Sequence, residues 1–277
     1  MPKSIYTSGL TGFIGRNLRP YLLKKYDQIV NFERDNKATI YGQSSNKSVV
    51  ISDELIKQFN AKHLIHLATL YRPNSKSTNE LTEVIQSNIK FILDIIENYL
   101  PKEEIEVINV SSYMQLLDIK YQNSYSLSKE IVNMFLKDNG YLHKNIYLFD
   151  SFGTGDTRNK VTDVFIKKII SGSKIQIPSS DIFINLSHVD DICHSIMQSI
   201  EMPNGNYSIM SENTIQLTEL LNIIIGYIGK SVEIERLGNA INYLDKVENT
   251  PKNIYIQANL GTFRERLNDR INEIKQA

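Results

Sequence analysis

The sequence predicts an α/β protein in which a doubly wound parallel sheet carries a small, mixed α/β lobe at its carboxyl end. Short apolar segments alternate with helical segments through residues 1–150, which is the pattern of parallel strands joined by crossover helices. After Gly153 the regular alternation fades. We therefore expect a first domain over residues 1–155, to which residues 184–195 return, and a lobe formed mostly by residues 156–277.

The individual elements follow from local patterns. Strands are expected where apolar and β-branched residues run between turn residues, and helices where apolar residues recur at helical spacing. The predicted strands cover residues 4–7, 28–32, 48–51, 64–67, 106–110 and 146–149. The predicted helices cover residues 84–100, 125–136, 163–170 and 216–228. Pro101 lies just past the first of these helices, and residues 186–191 are expected to return to the sheet.

The composition excludes several classes of protein. The 277 residues include 31 Lys and Arg and 31 Asp and Glu, so no basic excess points to a nucleic acid or a membrane surface. Cys193 is the single cysteine, which rules out an intramolecular disulfide and agrees with a reducing cytoplasm. No apolar run approaches the roughly 18 residues of a membrane span, and no signal peptide is visible. We expect a cytoplasmic protein.

Three glycines mark the turn between the first strand and the first helix. Glycine allows a tight turn and a close backbone approach, and the helix N-terminus then points free N–H groups at a pyrophosphate. The predicted cofactor contacts of this segment are Gly9, Gly12, Phe13, Ile14 and Gly15. The first domain is therefore predicted to be a Rossmann domain that binds NAD(P). The alternative is a tight turn without a ligand.

Two residues at the end of the second predicted strand bear on whether the cofactor is NAD or NADP. Glu33 lies where an acidic residue binds the adenosine ribose hydroxyls of NAD, whereas the adjacent Arg34 suits the 2′-phosphate of NADP. Either residue is equally compatible with a solvated surface charge. Both remain candidates for cofactor binding.

Tyr125 and Lys129 are predicted to form an acid/base pair. Their spacing of four residues places both side chains on one face of a helix. A nearby ammonium favours the phenolate and lowers the tyrosine pKa from about 10, so the tyrosine can exchange a proton with a substrate oxygen. Ser112, with Ser111 as the second choice, ends the preceding strand and is expected to bind the reacting oxygen. The alternatives are an ordinary surface pair and a backbone-capping Ser-Ser.

Histidine side chains are candidate metal ligands. His63 and His66 are three residues apart on a predicted strand, so they face opposite sides of the sheet. No further His or Cys cluster completes a metal site. We expect no metal.

These motifs resemble those of the extended short-chain dehydrogenases/reductases, in particular nucleotide-sugar 4-reductases and epimerases. The resemblance runs through residues 1–190. Its residues are Gly9, Gly12, Gly15, His63 to Ala68, Asn88, Ser112, Tyr125, Lys129, Phe152, Gly153 and His188 to Ile192. It implies that Leu67, Ala68 and Asn88 contact the cofactor, as Tyr125 and Lys129 also do.

Substrate contacts follow from the same resemblance. The loop with Tyr71 and Arg72 lies over the cofactor in this fold and is expected to touch substrate, or else to be a plain surface loop. Many relatives carry an arginine at the position of Tyr147 and an Arg-Asp before the His188 segment, and this chain does not. We therefore expect Arg158 or Lys160 to hold the nucleotide diphosphate, with Asp150 as a further substrate contact.

The resemblance implies NAD(P)H-dependent reduction of the 4-keto group of a nucleotide-linked deoxysugar. Chain length, the Ser-Ser pair and Asn159-Lys160 are similar to the short CDP-4-keto-3,6-dideoxyhexose reductases, of the abequose and paratose synthase kind. Such enzymes serve surface polysaccharides such as the O-antigen of lipopolysaccharide. Arg34 and this resemblance slightly favour NADPH as the cofactor, Glu33 favours NADH, and both are kept. The alternatives are a 4-epimerase with tightly held NAD and a non-catalytic NAD(P)-binding protein.

A homodimer is also expected. Relatives of this family often dimerise through the helix with the Tyr/Lys pair and the helix before it, which form a four-helix interface. Here the apolar residues beyond one core-facing stripe of those helices are Phe91, Ile92, Met134 and Phe135. A two-fold dimer is the commonest soluble assembly.

Overall fold

A computed structural model describes residues 2–43, 45–59, 61–212 and 214–276. The strands are β1 (Ser4–Ser8), β2 (Gln28–Glu33), β3 (Lys37–Gly42), β4 (Asn46–Val50), β5 (Ala61–His66), β6 (Glu106–Ser112), β7 (His143–Leu148), β8 (Asp150–Phe152), β9 (Ile175–Ile177), β10 (Phe183–His188), β11 (Gly205–Ile209), β12 (Thr214–Gln216), β13 (Ile234–Arg236) and β14 (Lys252–Asn253). The helices are α1 (Phe13–Lys25), α2 (Asp53–Lys57), α3 (Thr78–Ile85), α4 (Phe91–Tyr99), α5 (Ser124–Asp138), α6 (Val161–Ser171), α7 (Val189–Ser199), α8 (Leu217–Ile228) and α9 (Phe263–Gln276).

The central sheet has nine strands in the order β14-β11-β7-β6-β5-β1-β2-β3-β4. All neighbours from β14 to β2 pair in parallel. The strands β2 and β5 flank β1 on opposite sides, so the order of the strands reverses there and a crevice opens beyond their carboxyl ends. The predicted doubly wound parallel sheet is confirmed.

The expectation of an all-parallel alternation was wrong at one edge of the sheet. β2, β3 and β4 form an antiparallel meander, and β3 was not predicted. Asp35 and Asn36 adopt left-handed backbone conformations, with φ of 59° and 53°, which allow the chain to reverse tightly after β2. The predicted strand at residues 48–51 therefore lies at the antiparallel edge, without a crossover helix before it.

Helices cover both faces of the sheet. On one face α1 and α7 pack together over an apolar cluster that includes Leu18, Leu22 and Ile196. On the other face α4 and α5 bury Ile92, Ile95 and further apolar side chains against the sheet. The helix predicted over residues 84–100 is interrupted, because Gln86–Lys90 forms a π-helical turn between α3 and α4. Such turns are frequent at functional sites.

The lobe contains two small sheets and three helices. β8, β10 and β12 form one sheet, β9 and β13 form the other, and α6, α8 and α9 share an apolar core with them. Residues 186–191 were expected to return to the central sheet. This expectation was wrong, because β10 pairs with β8 and β12. Leu186 packs in the lobe core, which accounts for this placement.

The chain does cross back to the first domain, but later than β10. α7 packs on α1, and β11 enters the central sheet beside β7. In the described ranges, no helix combines the length and the apolar character that a membrane crossing requires.

Candidate active site

A cavity of about 860 Å³ opens at the carboxyl ends of the central strands, between the sheet and the lobe. It brings together most of the residues that the sequence analysis selected from separate motifs. The predicted residues in its lining are Gly9, Gly12, Phe13, Ile14, Gly15, Glu33, Arg34, Leu67, Ala68, Tyr71, Ser111, Ser112, Tyr125, Lys129, Asp150, Arg158 and Lys160. Asn88 and Arg72 are not part of this lining.

The glycine turn forms a close-packed cradle at one end of the cavity. Gly9 has φ of +83°, and a Cβ there would lie 2.5 Å from the backbone nitrogen of Ala68. A Cβ on Gly15 would overlap the carbonyl oxygen of Gly9. Gly12 precedes α1 and no side chain caps the helix, so its first N–H groups are free for a ligand. This cradle fits the pyrophosphate of a dinucleotide.

Asn31 holds this cradle in place, a role that the sequence analysis missed. Its Oδ1 accepts hydrogen bonds from the backbone N–H of Leu10 at 3.2 Å and from Thr7 Oγ1 at 3.3 Å. Asn31 is buried on β2, next to β1. A buried polar residue two positions before Glu33 was the available signal, because such groups nearly always have a specific partner.

Glu33 and Arg34 both line the cavity, but their side chains have different partners. Glu33 Oε1 accepts a hydrogen bond from Thr39 Oγ1 at 2.8 Å and one from Asn31 Nδ2 at 3.4 Å. Arg34 donates to Ser87 Oγ at 3.2 Å, next to the π-helical turn. The carboxylate is therefore held by two neighbouring strands, whereas the guanidinium is drawn toward a helix.

Tyr125 and Lys129 both face the cavity from α5, as predicted from their spacing. The helix begins just before Tyr125 because Asn123 and Ser126 form reciprocal capping hydrogen bonds. Lys129 is buried and its Nζ donates to the carbonyl oxygen of Val110 at 2.8 Å. Burial lowers the pKa of Lys129 to about 8.

The pKa of Tyr125 is raised and not lowered, so the expectation drawn from Lys129 was wrong. Burial raises the pKa of Tyr125 to about 12, and Tyr71 adds to this effect. Hydrogen bonding from the hydroxyls of Ser112 and Thr69, together with the charge of Arg158, acts in the opposite direction. Tyr125 is therefore a protonated acid at neutral pH, and its phenolate is stabilised by hydroxyl neighbours.

Ser112 caps the turn after β6, which is the alternative that the sequence left open. Its Oγ accepts from the backbone N–H of Met114 at 3.3 Å, and its own N–H donates to Gln115 Oε1 at 3.0 Å, which makes a capping box. Ser112 also lines the cavity with Tyr125. Ser111 is buried beside it and accepts a hydrogen bond from Asn109 Nδ2 at 3.2 Å.

Asn88 and Arg72 have roles different from those expected. Asn88 is 2% exposed, and its amide bonds both backbone groups of Leu70, so it braces the loop after β5 instead of facing the cavity. Arg72 forms an ion pair with Glu83 on α3, 2.8 Å between Nη1 and Oε2. These two side chains are satisfied by the protein, which explains why neither lines the cavity.

A pair of cations lies at the lobe side of the cavity. Arg158 is anchored by Asp156, with Nε donating to Oδ1 at 2.8 Å and Nη2 to Oδ2 at 2.7 Å. Lys160 Nζ lies 3.9 Å from the centre of the Tyr71 ring. Burial raises the pKa of Asp150, against the opposing charges of Lys160 and Arg158. Two cations in one cavity wall suit an anionic group such as a diphosphate.

Sequence reasoning missed three more residues around Tyr125. Tyr113 and Phe149 line the cavity with stacked rings, whose centres are 4.9 Å apart and whose planes differ by 11°. Thr69 also lines the cavity, directly after Leu67 and Ala68. All three follow the ends of parallel strands, and this position was the signal that could have found them.

His63 and His66 have different neighbours. His66 Nδ1 lies 2.7 Å from Ser8 Oγ inside the sheet, and His63 Nε2 lies 3.5 Å from Glu106. Burial lowers the pKa of both. Within the part of the chain that the structure describes, no three His, Cys, Asp or Glu side chains are grouped so as to hold a metal ion.

Comparison with known proteins adds evidence on the family. The model of the NAD dependent epimerase/dehydratase family matches residues 5–209. The CDP-abequose synthase of Yersinia pseudotuberculosis is 26% identical over 215 residues, covering 73% of this chain and 75% of that protein. A UDP-N-acetylglucosamine 4-epimerase from Methanobrevibacter ruminantium superposes with a TM-score of 0.72 at 20% identity, covering 99% of both chains. A dTDP-glucose 4,6-dehydratase from Bacillus anthracis, in complex with NAD, gives 0.71 at 16% identity, covering 99% of this chain and 97% of that one.

The match to the family runs from β1 to β11 and so includes the glycine cradle, Ser112 and the Tyr125/Lys129 pair. The two structural neighbours support the same fold over nearly the whole chain. The chain therefore belongs to the NAD dependent epimerase/dehydratase family and is an NAD(P)-dependent oxidoreductase of the extended short-chain dehydrogenase/reductase type.

Proposed function

We propose that the protein reduces the 4-keto group of a nucleotide-linked deoxysugar. The observation that carries this proposal is that Ser112, Tyr125 and Lys129 line the same cavity as the glycine cradle. A reduced nicotinamide bound from that cradle supplies hydride to the keto carbon. The similarity to a CDP-abequose synthase favours a CDP-4-keto-3,6-dideoxyhexose as substrate and a role in surface polysaccharide synthesis.

The side chains divide the chemistry between them. Tyr125 donates its proton to the keto oxygen, since it is protonated at neutral pH. Ser112 donates a hydrogen bond to the same oxygen and orients it. Lys129 is held toward the end of β6 by the Val110 carbonyl, so we assign it to orienting the cofactor ribose.

The lobe side of the cavity is assigned to the substrate. Arg158 and Lys160 are proposed to bind the diphosphate. The stacked rings of Tyr113 and Phe149 give the cavity an apolar wall, which suits a sugar that has lost hydroxyl groups. Asp150 lies in the same wall and is proposed to accept a hydrogen bond from the substrate.

For the cofactor we propose NADH, against the slight preference for NADPH drawn from the sequence. Thr39 and Asn31 hold the Glu33 carboxylate in the cavity lining, where it would accept the ribose hydroxyls and repel a 2′-phosphate. Titrations with NADH and NADPH test this choice. Exchange of Glu33 for Gln should narrow the difference between the two Kd values, and tighter binding of NADPH by the wild type would contradict the proposal.

A 4-epimerase that retains NAD is the second candidate. It is favoured by the structural likeness to a UDP-N-acetylglucosamine 4-epimerase. The two activities differ in whether cofactor is consumed. Screening 4-keto nucleotide sugars that carry CDP, dTDP, GDP or UDP for loss of nicotinamide absorbance separates them, and a preference for CDP supports the abequose-synthase-like substrate.

We also propose a homodimer, whose contact surface differs from the one expected from the sequence. Ile92 is fully buried in the core, so it is not available as the sequence suggested. The exposed apolar residues of α3 and α5 are Leu81, Ile85, Leu127, Ile131 and Met134, each 40% to 54% exposed. Sedimentation should give a dimer, and Ile131→Asp should dissociate it, whereas Val50→Asp on the sheet edge should not. A monomeric wild type at micromolar concentration would reject this proposal.

A further inference from the structure

Two side chains bridge the strand end that carries Ser112 to the helix α5. The backbone N–H of Ser112 donates to Gln115 Oε1 at 3.0 Å, and Gln115 Nε2 donates to Glu130 Oε2 at 2.8 Å. Gln115 is buried in the turn after β6, whereas Glu130 is half-buried on α5, next to Lys129. This Gln115–Glu130 bridge therefore joins the end of β6 to the helix that carries Tyr125 and Lys129.

A second line of hydrogen bonds reaches Glu130 from the central sheet. Asn109 Nδ2 on β6 donates to Asn145 Oδ1 on β7 at 3.0 Å, and Asn145 Nδ2 donates to Asn133 Oδ1 on α5. Asn133 Nδ2 then donates to Glu130 Oε1 at 3.2 Å. Both lines run from donor to acceptor toward Glu130. A carboxylate suits this position because it only accepts hydrogen bonds and has two oxygens to do so.

The bridge holds Ser112 by its backbone and leaves its hydroxyl proton for a ligand. Ser112 Oγ accepts from the N–H of Met114 at 3.3 Å, and a hydroxyl that accepts a hydrogen bond can still donate its own proton. Ser112 and Tyr125 are assigned to the same keto oxygen, yet they belong to different elements, β6 and α5. Their separation therefore depends on how the strand end and the helix are held together.

We propose that the Gln115–Glu130 bridge sets the position of Ser112 relative to Tyr125, so that both hydroxyl groups reach one keto oxygen. This inference rests on the proposed function. Neither Gln115 nor Glu130 lines the cavity, so both act through Ser112 and α5 and are positioning residues. The hydrogen bond from an amide to a carboxylate is charge-assisted and stronger than one between neutral groups, which suits it to hold two elements in place.

Exchange of the two functional groups tests the bridge. Gln115→Glu keeps an acceptor for the Ser112 N–H but sets one carboxylate against another. The double variant Gln115→Glu/Glu130→Gln moves the carboxylate to the other side of the bridge and can restore every hydrogen bond. With CDP-4-keto-3,6-dideoxyhexose and NADH, we expect kcat to fall about tenfold in Gln115→Glu with little change in KM, and to recover to within about threefold of wild type in the double variant.

The control for this exchange is Glu97→Gln, which neutralises an exposed carboxylate on α4 and should leave kcat unchanged. Equal losses in Gln115→Glu and in the double variant would overturn the proposal, because they would assign the effect to the charge at position 115 and not to the bridge. A wild-type kcat in Gln115→Glu would overturn it as well.

A second measurement does not depend on turnover. Hydrogen exchange at the backbone amide of Ser112, followed by NMR, reports on its bond to Gln115. We expect exchange about tenfold faster than in the wild type in Gln115→Glu, and near the wild-type rate in the double variant. Unchanged exchange in Gln115→Glu would overturn the bridge and leave the proposed reduction standing. Faster exchange that the double variant restores, in a protein that reduces no keto sugar, would uphold the bridge and reject the proposed function.

Discussion

The two ends of the cavity are built in different ways. At the cofactor end the fit depends on backbone: glycines that leave no room for a Cβ, and a helix start with free N–H groups. At the substrate end it depends on side chains from distant parts of the chain, such as Arg158 held by Asp156. Tyr125 and Lys129 line the same cavity. A backbone site needs only a short local pattern, whereas a side-chain site needs the whole fold to assemble its partners.

The largest effect should come from replacement of Tyr125. Tyr125→Phe removes the proton donor and leaves the glycine cradle intact, so turnover should fall ~10²–10⁴-fold while NADH binding persists. Steady-state rates and NADH titrations measure the two properties separately. Unchanged turnover would remove Tyr125 from the mechanism, and lost cofactor binding would contradict the separation of the two ends.

A change in the glycine cradle should instead weaken the binding of NADH. Gly15→Ala forces a Cβ into the Gly9 carbonyl, and relief of that overlap must move the turn. We expect NADH affinity to fall on the order of 100-fold, in the range of an overpacking cost of about 2–3 kcal/mol. Gly226→Ala is the matched control, because a Cβ at Gly226 on α8 meets nothing within 4 Å. Equal affinities in both variants would refute the cradle.

A change at the substrate end should affect the substrate and spare the cofactor. Burial opposes ionisation of Asp156, but its hydrogen bonds and the charge of Arg158, with Arg270 nearby, outweigh burial and lower its pKa. Asp156→Asn loosens Arg158, so we expect KM for the nucleotide sugar to rise about tenfold with unchanged Kd for NADH. Glu201→Gln, which weakens an exposed pair with Lys25, is the control. An unaltered KM in Asp156→Asn would indicate that Arg158 does not bind the diphosphate.

Replacement of Lys129 should give the smallest of the measured changes, and we expect it in the thermal stability of the protein. Burial lowers its pKa from the ordinary 10.5 to about 8. Between these values the unfolded chain binds more protons than the folded one, so the free energy of unfolding rises with pH, and the cost of the buried charge is complete below pH 8. Lys129→Met should thus gain a few degrees in Tm over wild type at pH 7, with the gain shrinking toward pH 10.

The exposed Lys62 gives the matched control for that experiment. Lys62→Met removes a lysine from the neighbouring β5 without altering a buried site. Its Tm should run parallel to that of the wild type across the same pH range. A Tm difference for Lys129→Met that stays constant with pH would contradict the assigned cause.

The sequence predicted the backbone-built features better than the side-chain partners. The parallel strands and the glycine turn follow from local apolar runs and spacing, which are properties of contiguous residues. The meander was missed because its hairpin depends on the left-handed conformations of Asp35 and Asn36. The partner of Lys129 was missed because the Val110 carbonyl is brought to it only by packing of α5 on β6.

The same distinction explains the predicted residues that do not line the cavity. Arg72 has the composition of a substrate contact, yet Glu83 on α3 satisfies it. Asn88 has the spacing of a cofactor contact, yet both of its amide atoms bond to Leu70. Spacing alone does not reveal which polar side chains the folded chain turns to the cavity and which it binds elsewhere.

Isotope transfer tests the central claim most directly. NADH that carries deuterium at the nicotinamide C4 position is incubated with a CDP-4-keto-3,6-dideoxyhexose and the protein, and the sugar is analysed by mass spectrometry and NMR. The account predicts one deuterium on C4 of the sugar for each NADH consumed, with a hydroxyl in place of the keto group. Absence of deuterium from C4, or sugar conversion without net loss of NADH, would contradict 4-keto reduction.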